Sequence, residues 1–129
     1  MTPAKANHPA ARANRVLVVE DELMIRMLLE DMLGELGYAI VAEAGRLEEA
    51  LEAVRCADFD LAILDVNLNG QAIAPVADLL AARGTPFVFA TGYGDRGLPE
   101  SHRDRPVLKK PFQMEGLRET LRSTLQTGH

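Results

Sequence analysis

Short apolar runs alternate along this chain with longer stretches in which apolar residues return every three or four positions. The first run, Val16-Leu17-Val18-Val19, is β-branched, too short for a helix and apolar on both faces. That predicts a strand of a parallel sheet covered on both sides. It ends in acid, at Glu20-Asp21-Glu22. Between Leu23 and Leu36, the residues Ile25, Leu28, Leu29, Met32 and Leu36 fall at helical spacing, with Gly37 as terminator. A short strand, Ala39-Ile40-Val41-Ala42, leads to a second helix whose Leu47, Ala50, Leu51 and Val54 share one face between glutamates. The run Leu61-Ala62-Ile63-Leu64 ends at Asp65, and a polar loop, Val66-Asn67-Leu68-Asn69-Gly70, follows. A third helix then runs to Arg83, its start restricted by Pro75. Pro86 to Ala90 is a fourth strand, ending at Thr91. Glycine, proline and charge dominate from Gly92 to Arg105, so any fourth helix there is short or irregular. Val107-Leu108 is the fifth strand, before Lys109-Lys110-Pro111-Phe112, and the last helix repeats Leu117, Leu121 and Leu125.

Strands alternating with helices mean an α/β fold: a doubly wound, five-stranded parallel sheet with helices on both faces. Its ligands sit beyond the carboxyl ends of the strands, where strand order reverses. With 129 residues and 47% hydrophobic positions, the chain fits one domain with one core. Residues 1–14 lack an apolar period and are expected to form a flexible leader, with the domain over 15–126 and a tail at 127–129. Fourteen basic against nineteen acidic residues give a charge of −5, which argues against a nucleic-acid partner. No apolar run reaches the ~18 residues of a membrane span and no secretory signal is visible, so a cytoplasmic protein without membrane insertion is expected. The single Cys56 excludes an intrachain disulfide and is expected to be a buried structural thiol.

At the strand ends stand Glu20 and Asp21, Asp65, Thr91 and Lys110. Each has an ordinary reading alone: the acids could cap a helix, Asp65 could start a turn, and Thr91 and Lys110 could be plain surface groups. Together they place three carboxylates, a hydroxyl and an ammonium on one rim. Two carboxylates about 5 Å apart repel by roughly 3 kcal/mol at an effective dielectric of 20, which calls for a neutralising cation. Oxygen donors of this kind select Mg²⁺, which takes one or two carboxylates and a phosphate. Asp65 is then a nucleophile able to form an acyl phosphate, with Lys110 and Thr91 meeting phosphoryl oxygens. Gly92, lacking a side chain, leaves the approach to Asp65 open.

These motifs, Glu20-Asp21 after VLVV, Asp65 after LAIL, Thr91-Gly92 after FVFA, and Lys110-Pro111-Phe112, resemble the response-regulator receiver domain of bacterial two-component systems. The resemblance runs from about Arg15 to Leu125. It implies the flavodoxin-like receiver fold with strand order 2-1-3-4-5. It also implies Asp65 as phospho-acceptor, Mg²⁺ (with Mn²⁺ able to substitute) on Asp21, Asp65 and the backbone carbonyl of Asn67, and Glu20 acting through water. Thr91 and Lys110 would be the switch pair, and the Lys110-Pro111 bond is commonly cis in that family. Phe89-Ala90-Thr91-Gly92-Tyr93 resembles the Phe-Ala-Thr-Gly signature of stand-alone receivers in general-stress phosphorelays, although there the tyrosine comes one residue later. Met1 and the short segment after Leu125 leave no room for an output domain, so output is expected through protein binding.

Two departures matter. The loops after Asp65 and between Thr91 and Lys110 are short, and Val107 stands where many receivers have an aromatic switch residue. Tyr93 is expected to take over part of that role or to gate water. Leu23, Met24, Met27 and Met32 give the first helix more apolar positions than one buried stripe needs, which suits docking of a sensor histidine kinase or histidine phosphotransferase, or simple packing. Arg26 beside that face could steer an acidic partner. The expected function is a single-domain response regulator, monomeric or weakly dimeric, that passes its signal to a downstream regulator protein or shuttles phosphate. At most it catalyses its own phosphorylation and dephosphorylation, with no turnover of small molecules. The alternatives are a binding module that takes no phosphoryl group, and a haloacid-dehalogenase-like phosphatase, which would want an acid where Asn67 stands.

Overall fold

The computed structural model describes residues 14–92 and 97–127; Tyr93 and nearly all of the expected leader lie outside the described residues. In chain order the elements are β1 (Arg15–Val19), α1 (Leu23–Glu35), β2 (Ala39–Ala44), α2 (Leu47–Cys56), β3 (Leu61–Asp65), β4 (Asn67–Leu68), β5 (Gln71–Ala72), α3 (Ala74–Ala82), β6 (Phe87–Thr91), a 3₁₀ turn (Glu100–His102), β7 (Val107–Lys109) and α4 (Met114–Thr127). Five of the strands form one parallel sheet in the order β2-β1-β3-β6-β7. Counted within that sheet alone, this is the expected 2-1-3-4-5 order of the doubly wound receiver fold.

Between their polar ends the central strands are apolar, and both of their faces are covered. Side chains alternate across a strand, so Leu17, Val19, Leu64, Phe87 and Phe89 face one way and pack with Val54 of α2 and Val76, Ala77 and Leu80 of α3. Val16, Val18, Ile63 and Val88 face the other way, against Leu29 and Leu33 of α1 and Leu117 and Leu121 of α4. Full burial of each such side chain contributes roughly 1.5–3 kcal/mol, which makes these two layers the main source of stability. At the far end of the sheet from the acidic strand ends, Arg15 bonds Asp58 and Asp60. The Arg83 guanidinium donates to the Val54 carbonyl and ties α3 to α2.

The structure alters two expectations and divides a third. The loop after Asp65 is a two-stranded hairpin, β4 with β5, turned by Asn69 and Gly70 at φ 54° and 84°. Positive φ at both turn residues is the geometry that Asn-Gly favours in two-residue hairpins. Cys56 is exposed, with its thiol donating to Glu52 at 3.2 Å. It lies two positions past buried Val54, which carries it round to the outer face of α2. Met32 is buried, whereas Leu23, Met24 and Met27 are exposed together with Leu28. The expectation of a short or irregular fourth helix holds: among the described residues between Gly92 and Arg105 the one helical element is the 3₁₀ turn, with Leu98 and His102 buried. Among the described residues no helix is long and apolar enough to cross a membrane.

Candidate functional site

Sheet register assembles the site. Val19 pairs with Leu64, so the next residues, Glu20 and Asp65, meet across adjacent strands. Asp65 pairs with Ala90 and Thr91 pairs with Lys109, which sets Thr91 one step beyond Asp65 and Lys110 just past Thr91. Backbone bonds fix these ends: Glu20 N–H donates to Ala44 at 2.9 Å, Val66 N–H to Ala90 at 3.2 Å, and Lys110 N–H to Thr91 at 2.9 Å. The Lys110-Pro111 peptide is cis.

Glu20, Asp21 and Asp65 bring carboxylate oxygens within 4.8 Å of one another. Lys110 Nζ lies between two of them, 3.0 Å from Glu20 and 3.4 Å from Asp65. Glu20 also accepts the Glu22 N–H at 3.1 Å, and Asp65 accepts the Asn67 N–H at 3.2 Å. Glu20, Asp65 and Thr91 are buried, while Asp21 is partly open to solvent. Burial pushes the Glu20 carboxyl up to about 7, against the opposing pull of Lys110 and the Glu22 amide. Burial also works against charge on Lys110, but its bond to Glu20 and the field of Asp65 outweigh this and hold its pKa above the ordinary lysine value.

An open cleft of about 540 Å³ lies over this cluster, lined by Asp21, Asp65, Asn67, Thr91, Gly92 and Lys110 among others. Every described residue expected at the site therefore borders one space or, as with Glu20, sits directly beneath it. Sequence reading missed the contribution of Asn69 and Gly70, which also line the cleft from the hairpin turn. Their adjacency as Asn-Gly was the available signal. Arg26 is half-buried, its Nη1 3.8 Å from Glu43, so it faces β2 more than a partner.

Residues 16–122 match the response regulator receiver domain. The chain belongs to that family. SdrG from Sphingomonas melonis Fr1 is 46% identical and superimposes with a TM-score of 0.80 over 88% of this receiver and 98% of SdrG. A BeF₃-activated conformation of SdrG gives a TM-score of 0.76 at the same identity. The receiver domain of the PhyR response regulator from Erythrobacter litoralis is 34% identical, with a TM-score of 0.80 over 93% of this chain and 95% of that domain. The transcriptional regulatory protein PdtaR of Mycobacterium tuberculosis is 39% identical over 121 residues; the receiver spans 91% of itself but only 59% of PdtaR.

Proposed function

We propose that this response regulator accepts a phosphoryl group on Asp65 and signals by binding other proteins in that state. The observation that supports this most is the gathering of the Glu20 and Asp21 carboxylates and Lys110 around Asp65. The donor set is all oxygen and hard, and its crowded negative charge fits Mg²⁺. Asp21, Asp65 and the Asn67 carbonyl would hold the ion, with Glu20 acting through water, and Mn²⁺ would serve in its place. When bound, Mg²⁺ supplies positive charge against the oxygens of the incoming phosphoryl group.

An Asp65 carboxylate oxygen attacks phosphorus as the bond to the donor breaks. From a phosphohistidine the electron pair returns to the imidazole nitrogen; from acetyl phosphate it leaves on acetate. Lys110, held cationic by its neighbours, moves from Asp65 to a phosphoryl oxygen, and Thr91 donates its hydroxyl to another. Gly92 leaves the entry open. The exposed stripe on α1 beside the cleft suits the helices of a histidine kinase or phosphotransferase. The same reading takes residues 15–126 as the working unit and a downstream protein as its target, with the likeness to SdrG and the PhyR receiver pointing to a stress phosphorelay.

Incubation with acetyl phosphate and Mg²⁺ tests this. A stable mass increase of one phosphoryl group, lost in Asp65→Asn, is expected. Steady release of phosphate from unrelated esters would mark a phosphatase instead, and no labelling at all would mark a binding module.

A further inference from the structure

Among the described residues the thioether sulfurs differ sharply in their access to solvent. Met24 and Met27, on the first two turns of α1, are 78% and 53% exposed, whereas Met32 on the same helix is 8% exposed. Met114 packs against the core cluster that contains Met32. Met24 lies four residues before exposed Leu28 and Met27 four residues after exposed Leu23, so both thioethers belong to one apolar patch. Leucine already supplies apolar surface at two of these four places; methionine adds a sulfur open to oxidation.

The patch starts at the rim of the acidic cleft. Glu22 lines that cleft and is followed directly by Leu23, while Asp65 within it is only 6% exposed. A protein that carries a phosphohistidine to Asp65 therefore covers the rim from which α1 begins. A small phosphodonor reaches Asp65 without touching the helix.

Hydrogen peroxide converts a thioether to a sulfoxide in a balanced two-electron step. A sulfur lone pair attacks one peroxide oxygen, and an S–O bond forms as the O–O bond breaks. The departing hydroxide collects the proton of the transferred oxygen and leaves as water. Sulfur is oxidised and peroxide reduced. The sulfoxide is polar, and burying it against an apolar helix without a hydrogen-bond partner is unfavourable. Reduction by a dithiol removes the oxygen as water and restores the thioether. The exposed thiol of Cys56 is no rival at this place: it sits on α2, across the sheet from α1. Its hydrogen bond to Glu52 also holds its pKa above the ordinary thiol value, away from the reactive thiolate.

We propose that Met24 and Met27 form a peroxide-sensitive gate on phosphoryl transfer, in which their oxidation bars a protein donor and leaves Asp65 open to small phosphodonors. The gate rests on the reading of α1 as the surface that a histidine-phosphorylated donor covers.

Graded peroxide treatment of the whole protein, stopped with catalase and followed by peptide mass mapping, gives the order of oxidation. Met24 and Met27 should each gain one oxygen before Met32 or Met114 does. With both oxidised, transfer from a histidine phosphotransferase that labels the untreated protein should slow about tenfold, while labelling by acetyl phosphate keeps its rate. Methionine sulfoxide reductases A and B, one for each sulfoxide epimer, should restore transfer. In the double variant Met24→Leu, Met27→Leu, peroxide should leave the transfer rate where it was before treatment. Early oxidation of Met32, an unchanged rate with Met24 and Met27 oxidised, equal slowing of both donors, or the same loss in the leucine variant would each overturn the gate. Met24→Asp separates this failure from that of the docking reading. If that variant slows transfer from the protein donor and oxidation does not, the gate alone falls; if neither slows it, the docking reading falls and takes the gate with it.

Discussion

Glu20 is a carboxyl buried beside Asp65 and Lys110. Its carboxyl has a proton affinity raised by burial to about 7, whereas in the unfolded chain it titrates near 4.5. Between those values the folded protein holds more protons than the unfolded one, so metal-free stability falls as pH rises through this window. In chelator, the melting temperature of wild type should decline from pH 4.5 to pH 7, and Glu20→Gln should flatten that part of the profile. An equally steep decline in Glu20→Gln would place the titrating group elsewhere. Asp65 offers a related test. Three carboxylates facing one lysine ammonium leave excess negative charge, so Asp65→Asn should melt higher than wild type without Mg²⁺. The lost bond from Lys110 offsets part of the relief, and a gain of about 1–2 kcal/mol, roughly 4–8 °C, is expected. Binding linkage stabilises wild type as Mg²⁺ is added, and the gap should then narrow. A calorimetric series in chelator and in millimolar Mg²⁺ decides it.

Elements differ in how far they stabilise themselves. The β4–β5 hairpin is short, and its turn depends on Asn69 and Gly70 adopting positive φ, with the Gly70 N–H bound to the Asn67 side chain at 3.0 Å. Open space surrounds the position a Gly70 Cβ would take, so Gly70→Ala meets only the backbone penalty, about 1 kcal/mol. Because the hairpin carries Asn67, the same variant should also weaken Mg²⁺ binding, measured by titration calorimetry. Unchanged affinity would separate the turn from the metal site. This hairpin shows where sequence reading reaches its limit. Fully buried strands such as Leu61–Asp65 announce themselves by unbroken apolar runs, and their register then determines which strand ends meet. Glu20, Asp65, Thr91 and Lys110 were therefore legible before any coordinates. Two-residue strands have no period to detect, and the outer position of Cys56 depended on helix phase instead of residue type. His102 and Asp78 lie 24 residues apart with nothing in either neighbourhood to couple them, so only the fold brings them into contact.

Seen as one body, the receiver divides its tasks between regions of its surface. The acidic cleft opens at the carboxyl ends of the strands, and the side chains on Phe87 cluster at the start of β6. A third region adjoins the cleft. Leu23, Met24, Met27 and Leu28 of α1 are 60%, 78%, 53% and 42% exposed. Spaced one, four and five residues apart, they form two adjoining rows on one side of the helix that begins directly after the acidic run. Nothing in the core needs them: α1 is held by Leu29, Met32 and Leu33 on its other side. Met24→Asp should therefore leave the melting temperature within the small range usual for surface substitutions. Labelling by acetyl phosphate should also be unchanged, because a small donor enters the cleft without crossing this stripe. A histidine-phosphorylated protein donor must cover the rim of the cleft to bring its phosphoryl group to Asp65. Placing a carboxylate where that donor buries an apolar contact should slow transfer about tenfold, equivalent to about 1.4 kcal/mol of lost binding. Stopped-flow transfer from a phosphorylated histidine phosphotransferase, compared with acetyl phosphate labelling of the same variant, measures both. Equal slowing of the two donors would mean that the variant disturbed the acceptor site, and equal rates for wild type and variant would mean that donor proteins approach Asp65 over a different part of the rim.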